Sequence, residues 1–226
     1  MIIRKEHIVV TSVFIMAVIA TILCAIYIPV SNSLAKGVVV IDAGHGGMDG
    51  GVSYGNMIEA NINLELTREL KGILEDRGYK VVLTRDSANS LAGKKKDDMQ
   101  KRKDIILKSK PDLVVSLHVN KYQDSKRRGV QVFYDDTKKN KEVGERFQYL
   151  INSNVNKKYA GRDDLKSLGG DYYICKCSPY PAVIIECGFI SNEGDRMLLN
   201  DSKYKTHLMS TIADGIDSMM LSKVSA

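Results

Sequence analysis

The sequence contains no tryptophan, and aromatic residues make up only 7% of its 226 positions. Its 33 lysines and arginines outnumber its 27 acidic residues, which gives a net charge of +6, but no dense basic run is interleaved with aromatic side chains. This combination does not favour a nucleic-acid-binding protein. The chain also lacks a collagen pattern, a repeat of about 20–50 residues and a sustained heptad, which excludes fibres, solenoids and coiled coils.

Cysteines are few, and their positions do not indicate a disulfide framework. Cys24 lies in an apolar stretch, and the remaining Cys175, Cys177 and Cys187 are an odd number for a scaffold of paired cystines. A Cys-x-Cys pair alone offers too few ligands for a structural zinc site. We therefore expect small buried hydrophobic side chains, with Cys175 and Cys177 on one face of a strand.

A single long apolar run lies near the N-terminus. Residues 8–30 are 23 positions without a charged side chain, and Arg4 and Lys5 precede them. About 20 apolar residues span a bilayer core, and basic residues before such a segment favour export of the chain that follows. An uncleaved anchor, a signal peptide ending at Ala35 and a buried core helix are the alternatives. We expect residues 1–35 to be an anchor or signal peptide, and the remainder to work outside the cytoplasm, membrane-anchored or secreted.

Residues 36–226 show apolar patterns that alternate between strand and helix. The predicted strands are 37–42, 79–85, 113–120, 130–134, 172–175 and 182–186, and the predicted helices are 58–77, 99–108, 139–154, 192–199 and 204–221. Alternating strands and helices predict an α/β domain with a mostly parallel or mixed central sheet flanked by helices. No linker divides these residues, so we expect a single catalytic domain over 36–226.

Polar side chains stand where strands of the expected sheet end, which is where open α/β sheets bind ligands. His45 lies in a glycine-rich turn that lacks both the phosphate-loop and the dinucleotide-binding signatures. His118 shares one strand face with Ser116 and Asn120, and Glu186 ends an apolar strand. Because buried polar groups must be satisfied, these residues either form hydrogen bonds within the core or serve a site.

Two of the glutamates, Glu59 and Glu186, also suit local structural roles. Glu59 and Asn56 suit a helix capping pair, and Glu186 suits a partner for the next helix N-terminus. Two histidines with one glutamate, however, are a known catalytic zinc set that leaves one position open. The natural trio is His45, Glu59 and His118, and Glu186 would then carry the proton of water to the leaving amine. This set predicts zinc-dependent amide hydrolysis, and because H-E-x-x-H is absent, the common helix-borne zinc-protease arrangement is excluded.

Residues 38–221 resemble the zinc-dependent N-acetylmuramoyl-L-alanine amidases of the Amidase_3 family. The matching runs are VVVIDAGHGGMDGG, EANINL, LTRD, QKRKDIILKSKPDLVVSLHVN and VIIECGFISN. The resemblance implies that His45, Glu59 and His118 bind Zn²⁺ and that Glu186 is the catalytic carboxylate. It also implies the substrate bond, the amide between the lactyl group of muramic acid and the L-alanine that begins the peptidoglycan stem peptide.

An export segment followed by one catalytic domain resembles the germination-specific amidases of endospore formers. This implies muramic-δ-lactam formation in spore cortex together with a deacetylase, work in the forespore intermembrane space, and a partner protein that aids zinc loading or placement. A zinc carboxypeptidase or endopeptidase acting on stem peptides is an alternative, and so is a non-catalytic peptidoglycan-binding protein. The second alternative expects the glutamate at position 186 to be lost, and it is present.

Overall fold

A mixed sheet of six strands is the centre of the fold, which a computed structural model describes over residues 35–162 and 164–224. The strands are β1 (Val38–Ala43), β2 (Ser53–Tyr54), β3 (Met57–Ile58), β4 (Lys80–Leu83), β5 (Leu113–Asn120), β6 (Gln131–Tyr134), β7 (Leu168–Gly169) and β8 (Ala182–Phe189). The helices are α1 (Glu59–Asp76), α2 (Lys95–Ser109), α3 (Lys138–Ile151), α4 (Tyr173–Lys176), α5 (Glu193–Asn200) and α6 (Ser202–Val224), and a π-helical segment (Asn152–Ala160) continues α3.

The central sheet has the strand order β4-β1-β5-β8-β6-β7, and β2 pairs with β3 in a separate hairpin. Strands β4, β1, β5 and β8 run parallel, whereas β6 is antiparallel to β8. The parallel strands are rich in β-branched residues because both of their faces are covered. The carboxyl ends of these four strands therefore lie at the same end of the sheet, and the amino end of β6 lies there too.

Helices cover both faces of the sheet, which confirms the predicted α/β class. On one face, α1, α3 and α6 enclose the larger core, with Leu66 and Ile212 among its fully buried members. On the other face, α2 and α4 cover a smaller core through Ile106 and Ile174. Removing apolar surface from water stabilises the fold by about 25 cal/mol per Å², and this gain favours the layered arrangement. The second face is the one that carries the polar side chains described below.

The segment predicted as a strand over 172–175 is wrong, because the chain forms the short helix α4 there. Ile174 and Cys175 are buried under the sheet, while Tyr173 is 40% exposed. Cys175 and Cys177 consequently do not share a strand face. These two cysteines and Cys187 are free thiols, and burial raises the pKa of the Cys175 thiol to about 12.

The predicted anchor or signal segment, including Cys24, lies outside the described residues. Residues from Ala35 onward form one compact unit. Within the ranges that the structure describes, no helix is both long and apolar enough to cross a bilayer. The boundary at residue 35 stays a prediction.

Candidate metal centre

A tight turn after β1 presents the imidazole of His45. His45 has a φ of 62°, and Gly46 and Gly47 follow at 137° and 61°. Backbone hydrogen bonds in both directions between Gly46 and Asp49 close the turn. The Nδ1 atom of His45 lies 2.9 Å from Asp49 Oδ1. Since a carboxylate on one ring nitrogen fixes the tautomer of a ligating histidine, Nε2 is the atom that this turn presents.

The carboxylate of Glu59 lies beside both imidazoles at the start of α1. Its Oε1 atom is 3.3 Å from His45 Nε2 and 2.9 Å from His118 Nδ1. The backbone N–H groups of Val52 and Val119 donate to Glu59 at 2.8 and 3.2 Å, and Asn63 Nδ2 donates at 3.4 Å. Glu59 is 3% exposed and is the first residue of α1. The alternative role of Glu59, a capping pair with Asn56, is therefore wrong, since the helix N-cap is Ile58.

His118 reaches the same place from β5, the strand adjacent to β1. The two imidazole rings lie edge to face with centroids 5.1 Å apart. A Cβ at Gly44 would overlap the ring of His118, and a Cβ at Gly51 would overlap the carboxylate of Glu59. Glycine at these two positions lets the backbone approach the three side chains closely.

The three side chains form a group whose geometry suits a metal ion. One ligand atom from each of His45, Glu59 and His118 lies within 4.8 Å of the other two. Zinc with ligand bonds of about 2.0–2.1 Å in tetrahedral geometry holds its ligand atoms about 3.3 Å apart, close to the observed 2.9 and 3.3 Å. The donor set of two imidazoles and one carboxylate is also one that zinc accepts while leaving a position open. The residues present therefore fit the metal that the sequence predicts.

The electrostatics of this trio favour positive charge between its members. Hydrogen bonding to Glu59 raises the pKa of His45. Burial alone would lower the pKa of His118, but its hydrogen bond to Glu59 raises it. Burial would likewise raise the pKa of Glu59, but hydrogen bonds from both imidazoles hold that pKa well below its usual range. An ionised carboxylate between two basic imidazoles is an attractive environment for a cation.

Glu186 lies next to the trio but is not part of it. It pairs in register with His118 across β5 and β8, so both side chains leave the sheet on the same face. Its Oε2 atom is buried and has no hydrogen-bond partner among the described residues. The pKa of Glu186 is raised to about 7, chiefly by burial; the charge of His118 opposes this rise and that of Glu59 adds to it. Strand β8 continues to Phe189, so Glu186 lies within the strand and not at the predicted end.

A buried polar network holds the turn that carries His45. Arg102 donates to Asp42 Oδ1 and to the carbonyl of Ala43, both at 2.7 Å, and to the carbonyl of His45 at 2.6 Å. Arg85 donates to the carbonyls of Ala43 and Gly44 at 2.9 Å. These guanidinium groups fix the backbone on either side of Gly44, and they give Arg85 and Arg102 a structural role that the sequence left undefined.

Sequence reasoning missed two residues that contact the trio. Asp49 is four positions after His45, and Asn63 is four positions after Glu59 on α1. The spacing of Glu59 and Asn63 was a visible signal, since residues four apart on a helix lie on one face. His45 and Asp49 are instead brought together by the turn after β1. Asn120, a polar residue singled out with His118, uses its side chain to accept from the backbone N–H of Lys121.

Comparisons with known proteins point to one family. Residues 39–218 match the family model described as N-acetylmuramoyl-L-alanine amidase. The germination-specific N-acetylmuramoyl-L-alanine amidase of Bacillus subtilis strain 168 is 29% identical over 197 residues, which cover 83% of this chain and 81% of that protein. The range matched by the family model, residues 39–218, includes His45, Glu59, His118 and Glu186.

Two solved structures show the same fold. The CwlD amidase from Clostridioides difficile, determined in complex with the GerS lipoprotein, has a TM-score of 0.75 at 32% identity and covers 81% of this chain and 98% of its own. The catalytic domain of the CwlV amidase from Bacillus (Paenibacillus) polymyxa var. colistinus has a TM-score of 0.69 at 27% identity, over 80% of this chain and 96% of its own.

Proposed function

The chain belongs to the N-acetylmuramoyl-L-alanine amidase family, and on that premise we propose that it is a zinc hydrolase acting on spore-cortex peptidoglycan. The bond is the amide between the lactyl group of muramic acid and L-alanine. The similarity to a germination-specific amidase and to CwlD supports the cortex setting. In that setting the product serves muramic-δ-lactam formation, a sequence that a deacetylase completes.

The convergence of His45, Glu59 and His118 beside Glu186 carries this proposal. Three protein ligands that leave a position open are typical of catalytic zinc sites. Zinc bound there supplies a Lewis acid that lowers the pKa of water and polarises the amide carbonyl. The adjacent carboxylate with a pKa raised to about 7 is matched to proton transfer near neutral pH.

Glu186 moves the proton between the attacking water and the departing amine. Its unpaired Oε2 atom is buried beside His118, so it can take the water proton as the new carbon–oxygen bond forms. The same proton then passes to the nitrogen of L-alanine as the carbon–nitrogen bond breaks. Asp49 meanwhile holds the His45 ring, and Asn63 and two backbone N–H groups hold Glu59.

A metal titration tests the ligand assignment. We expect about one zinc per chain in the parent, and a loss of tight binding in His118→Ala because an imidazole ligand is removed. His207→Ala is the matched control, since His207 lies on α6 and contacts the carbonyl of Asn154. Zinc binding by His118→Ala as tight as that of the parent would overturn the assignment.

Digestion of purified peptidoglycan tests the reaction. The full-length chain, with and without added zinc, is incubated with cortex peptidoglycan, and the fragments are analysed by mass. Release of intact stem peptides beginning with L-alanine, dependent on zinc, is the expected result. Shortened stem peptides on intact muramic acid would instead indicate a carboxypeptidase or endopeptidase, and unchanged material would indicate a binding protein.

The setting of the reaction is also part of the proposal. We propose that the domain works outside the cytoplasm, in the forespore intermembrane space. It is either anchored to the membrane by its N-terminal segment or released when that segment is cleaved. CwlD was solved with the GerS lipoprotein, which supports a partner protein here. We propose in addition that such a partner aids zinc loading or placement. Protease accessibility in sporulating cells whose outer membrane is opened checks the location, and a domain that stays protected in the cytosol would contradict it.

A further inference from the structure

A small cavity lies beyond the carboxyl end of β5, around the loop that follows this strand. Its volume is about 360 Å³. It is lined by Tyr122, Asp124, Lys126, Arg127, Arg162 and Leu165. The loop from 121 to 130 that contributes four of these residues joins β5 to β6, and it therefore stands at the edge of the sheet where the trio and Glu186 are found.

Arg127 is held rigidly in this cavity by neutral partners. Its Nη2 atom donates to Gln131 Oε1 at 3.0 Å. Its Cζ atom lies 4.6 Å from the ring centre of Tyr122 and 5.5 Å from that of Phe189. Stacking on two rings fixes the plane of the guanidinium without using its donors.

Arg127 is hydrogen-bonded to the residue that lies opposite Glu186 in the sheet. Gln131, the amide partner of Arg127, pairs in register with Glu186 across β6 and β8. Glu186 in turn pairs with His118. Alternation along the strands places these three side chains on the same face of the sheet. Arg127 therefore lies on the β6 side of Glu186.

A larger cavity borders the trio itself. Its volume is about 570 Å³, and His45, Asp49, Lys95 and Tyr173 are among the residues that line it. His118 also borders it. The larger cavity thus borders the two imidazoles, whereas the smaller one is formed around the loop that joins β5 to β6. A substrate cleaved at an amide next to Glu186 can extend toward both.

The charge of the smaller cavity is positive and partly uncompensated. Arg162 pairs with Asp164 at 2.8 Å, and Asp124 Oδ1 accepts from the backbone N–H of Lys126 at 2.9 Å. Arg127 has no ion-pair partner among the carboxylates of the described residues. A guanidinium that is held in place and has N–H groups available as donors is the protein group best matched to a carboxylate.

From this arrangement we infer that the smaller cavity is a subsite for a carboxylate of the stem peptide, with Arg127 as its specificity-determining residue. The inference rests on the proposed function. The glycan side of the cleaved bond is N-acetylated and neutral, whereas the peptide side carries free carboxylates beyond L-alanine. A cationic cavity on the β6 side of Glu186 therefore suits the peptide side, which assigns the glycan to the larger cavity.

Soluble peptidoglycan fragments, native or with their carboxylates converted to amides by carbodiimide and ammonia, test this inference. KM and kcat are measured for the full-length, zinc-supplemented parent and for Arg127→Gln. We expect amidation to raise the KM of the parent about tenfold or more, because charge-assisted hydrogen bonds are lost. Arg127→Gln should raise the KM for native fragments by a similar factor and should no longer discriminate between the two materials.

Two further variants separate recognition from folding and from general charge. Arg127→Lys keeps the charge and should restore part of the discrimination. Lys80→Gln removes an exposed positive charge at the amino end of β4 and should discriminate as the parent does. Melting temperatures measured on the same preparations report whether Arg127→Gln is folded.

The outcomes distinguish the inference from the function on which it rests. A parent that cleaves both materials with equal KM overturns the subsite while leaving the amidase function intact. Equal discrimination by the parent and Arg127→Gln overturns the role of Arg127, and so does loss of discrimination in Lys80→Gln. A zinc-supplemented parent that cleaves neither material overturns the proposed function and the subsite together.

Discussion

At Glu186, burial and position together set the acidity of one side chain. Water is excluded from the carboxyl, which raises its pKa to about 7, while the nearby Glu59 stays ionised between two imidazoles. Two carboxyls within one site thus differ in protonation because their neighbours differ. The first is suited to moving a proton, and the second to holding positive charge.

Replacing Glu186 by glutamine separates its chemical role from a structural one. Glu186→Gln removes the proton acceptor but keeps size and shape, so turnover should fall by about 10²–10⁴-fold. Zinc affinity should be retained, because Glu186 is outside the trio. Turnover, zinc titration and melting temperature are measured on one preparation. Parent-like turnover in a folded, zinc-loaded variant would contradict the mechanism.

Individual site residues were predictable from the sequence where chemistry and position agreed. His45 follows a strand, His118 and Glu186 lie in apolar strands, and Glu59 begins a helix; the structure brings all four together. The role of Glu59 was ambiguous, because the spacing of a capping pair is local, whereas its burial depends on β5 and the turn after β1. The position of Arg127 depends on ring stacking between a loop and β8, which no local pattern encodes.

At the scale of elements, the length of the loop before β6 determines the direction in which this strand runs. The segment between β5 and β6 runs from 121 to 130 and contains no helix, so it is too short for a parallel crossover. An antiparallel β6 follows, and it brings Gln131 opposite Glu186. The error at α4 has a different origin, since a continuous run of four apolar and aromatic residues does not distinguish a strand from one helical turn packed on the sheet.

The N-terminus of α5 offers a test of local helix stabilisation. The side chain of Asn192 accepts from the backbone N–H of Asp195 at 3.0 Å, as an N-cap does. Asn192→Ala should lower the free energy of unfolding by about 1 kcal/mol. Asn56→Ala is the matched control, because Asn56 is exposed and does not cap α1. Denaturant unfolding of both variants checks this, and an equal loss in Asn56→Ala would restore the capping interpretation of Glu59.

At the scale of the whole molecule, Asp42 ties several elements together. Thr84, just after β4, donates to Asp42 Oδ1 at 2.7 Å, and Ser116 on β5 donates to Oδ2 at 2.6 Å. Arg102 on α2 completes the set at 2.7 Å. Because Asp42 is itself on β1, its ionisation is coupled to the packing of three strands and a helix, and through Arg102 to the turn that carries His45.

This network makes the stability of the fold dependent on pH at the acid end. Burial alone would raise the pKa of Asp42, but the charge of Arg102 and the hydrogen bonds from Ser116 and Thr84 lower it below its usual value of 3.8. A carboxyl with a depressed pKa in the folded state stabilises the fold fully above the pKa of the unfolded chain. Its contribution is lost as the pH falls through the folded pKa. The contribution of Asp42 to the free energy of unfolding should therefore be constant near neutrality and should be lost steeply below about pH 4.

Asp42→Asn should remove this dependence while lowering stability at neutral pH. Breaking one side of a buried ion pair costs about 3 kcal/mol, since Arg102 would keep only Asp98 as a charged partner. Asp214→Asn is the matched control, because Asp214 pairs with Arg77 at the surface and such pairs contribute about 0–1 kcal/mol. Denaturant unfolding from pH 3 to 7 compares the three proteins. If Asp42→Asn were to lose stability as steeply as the parent below about pH 4, the acid dependence would have to arise from other carboxyls, such as Glu59.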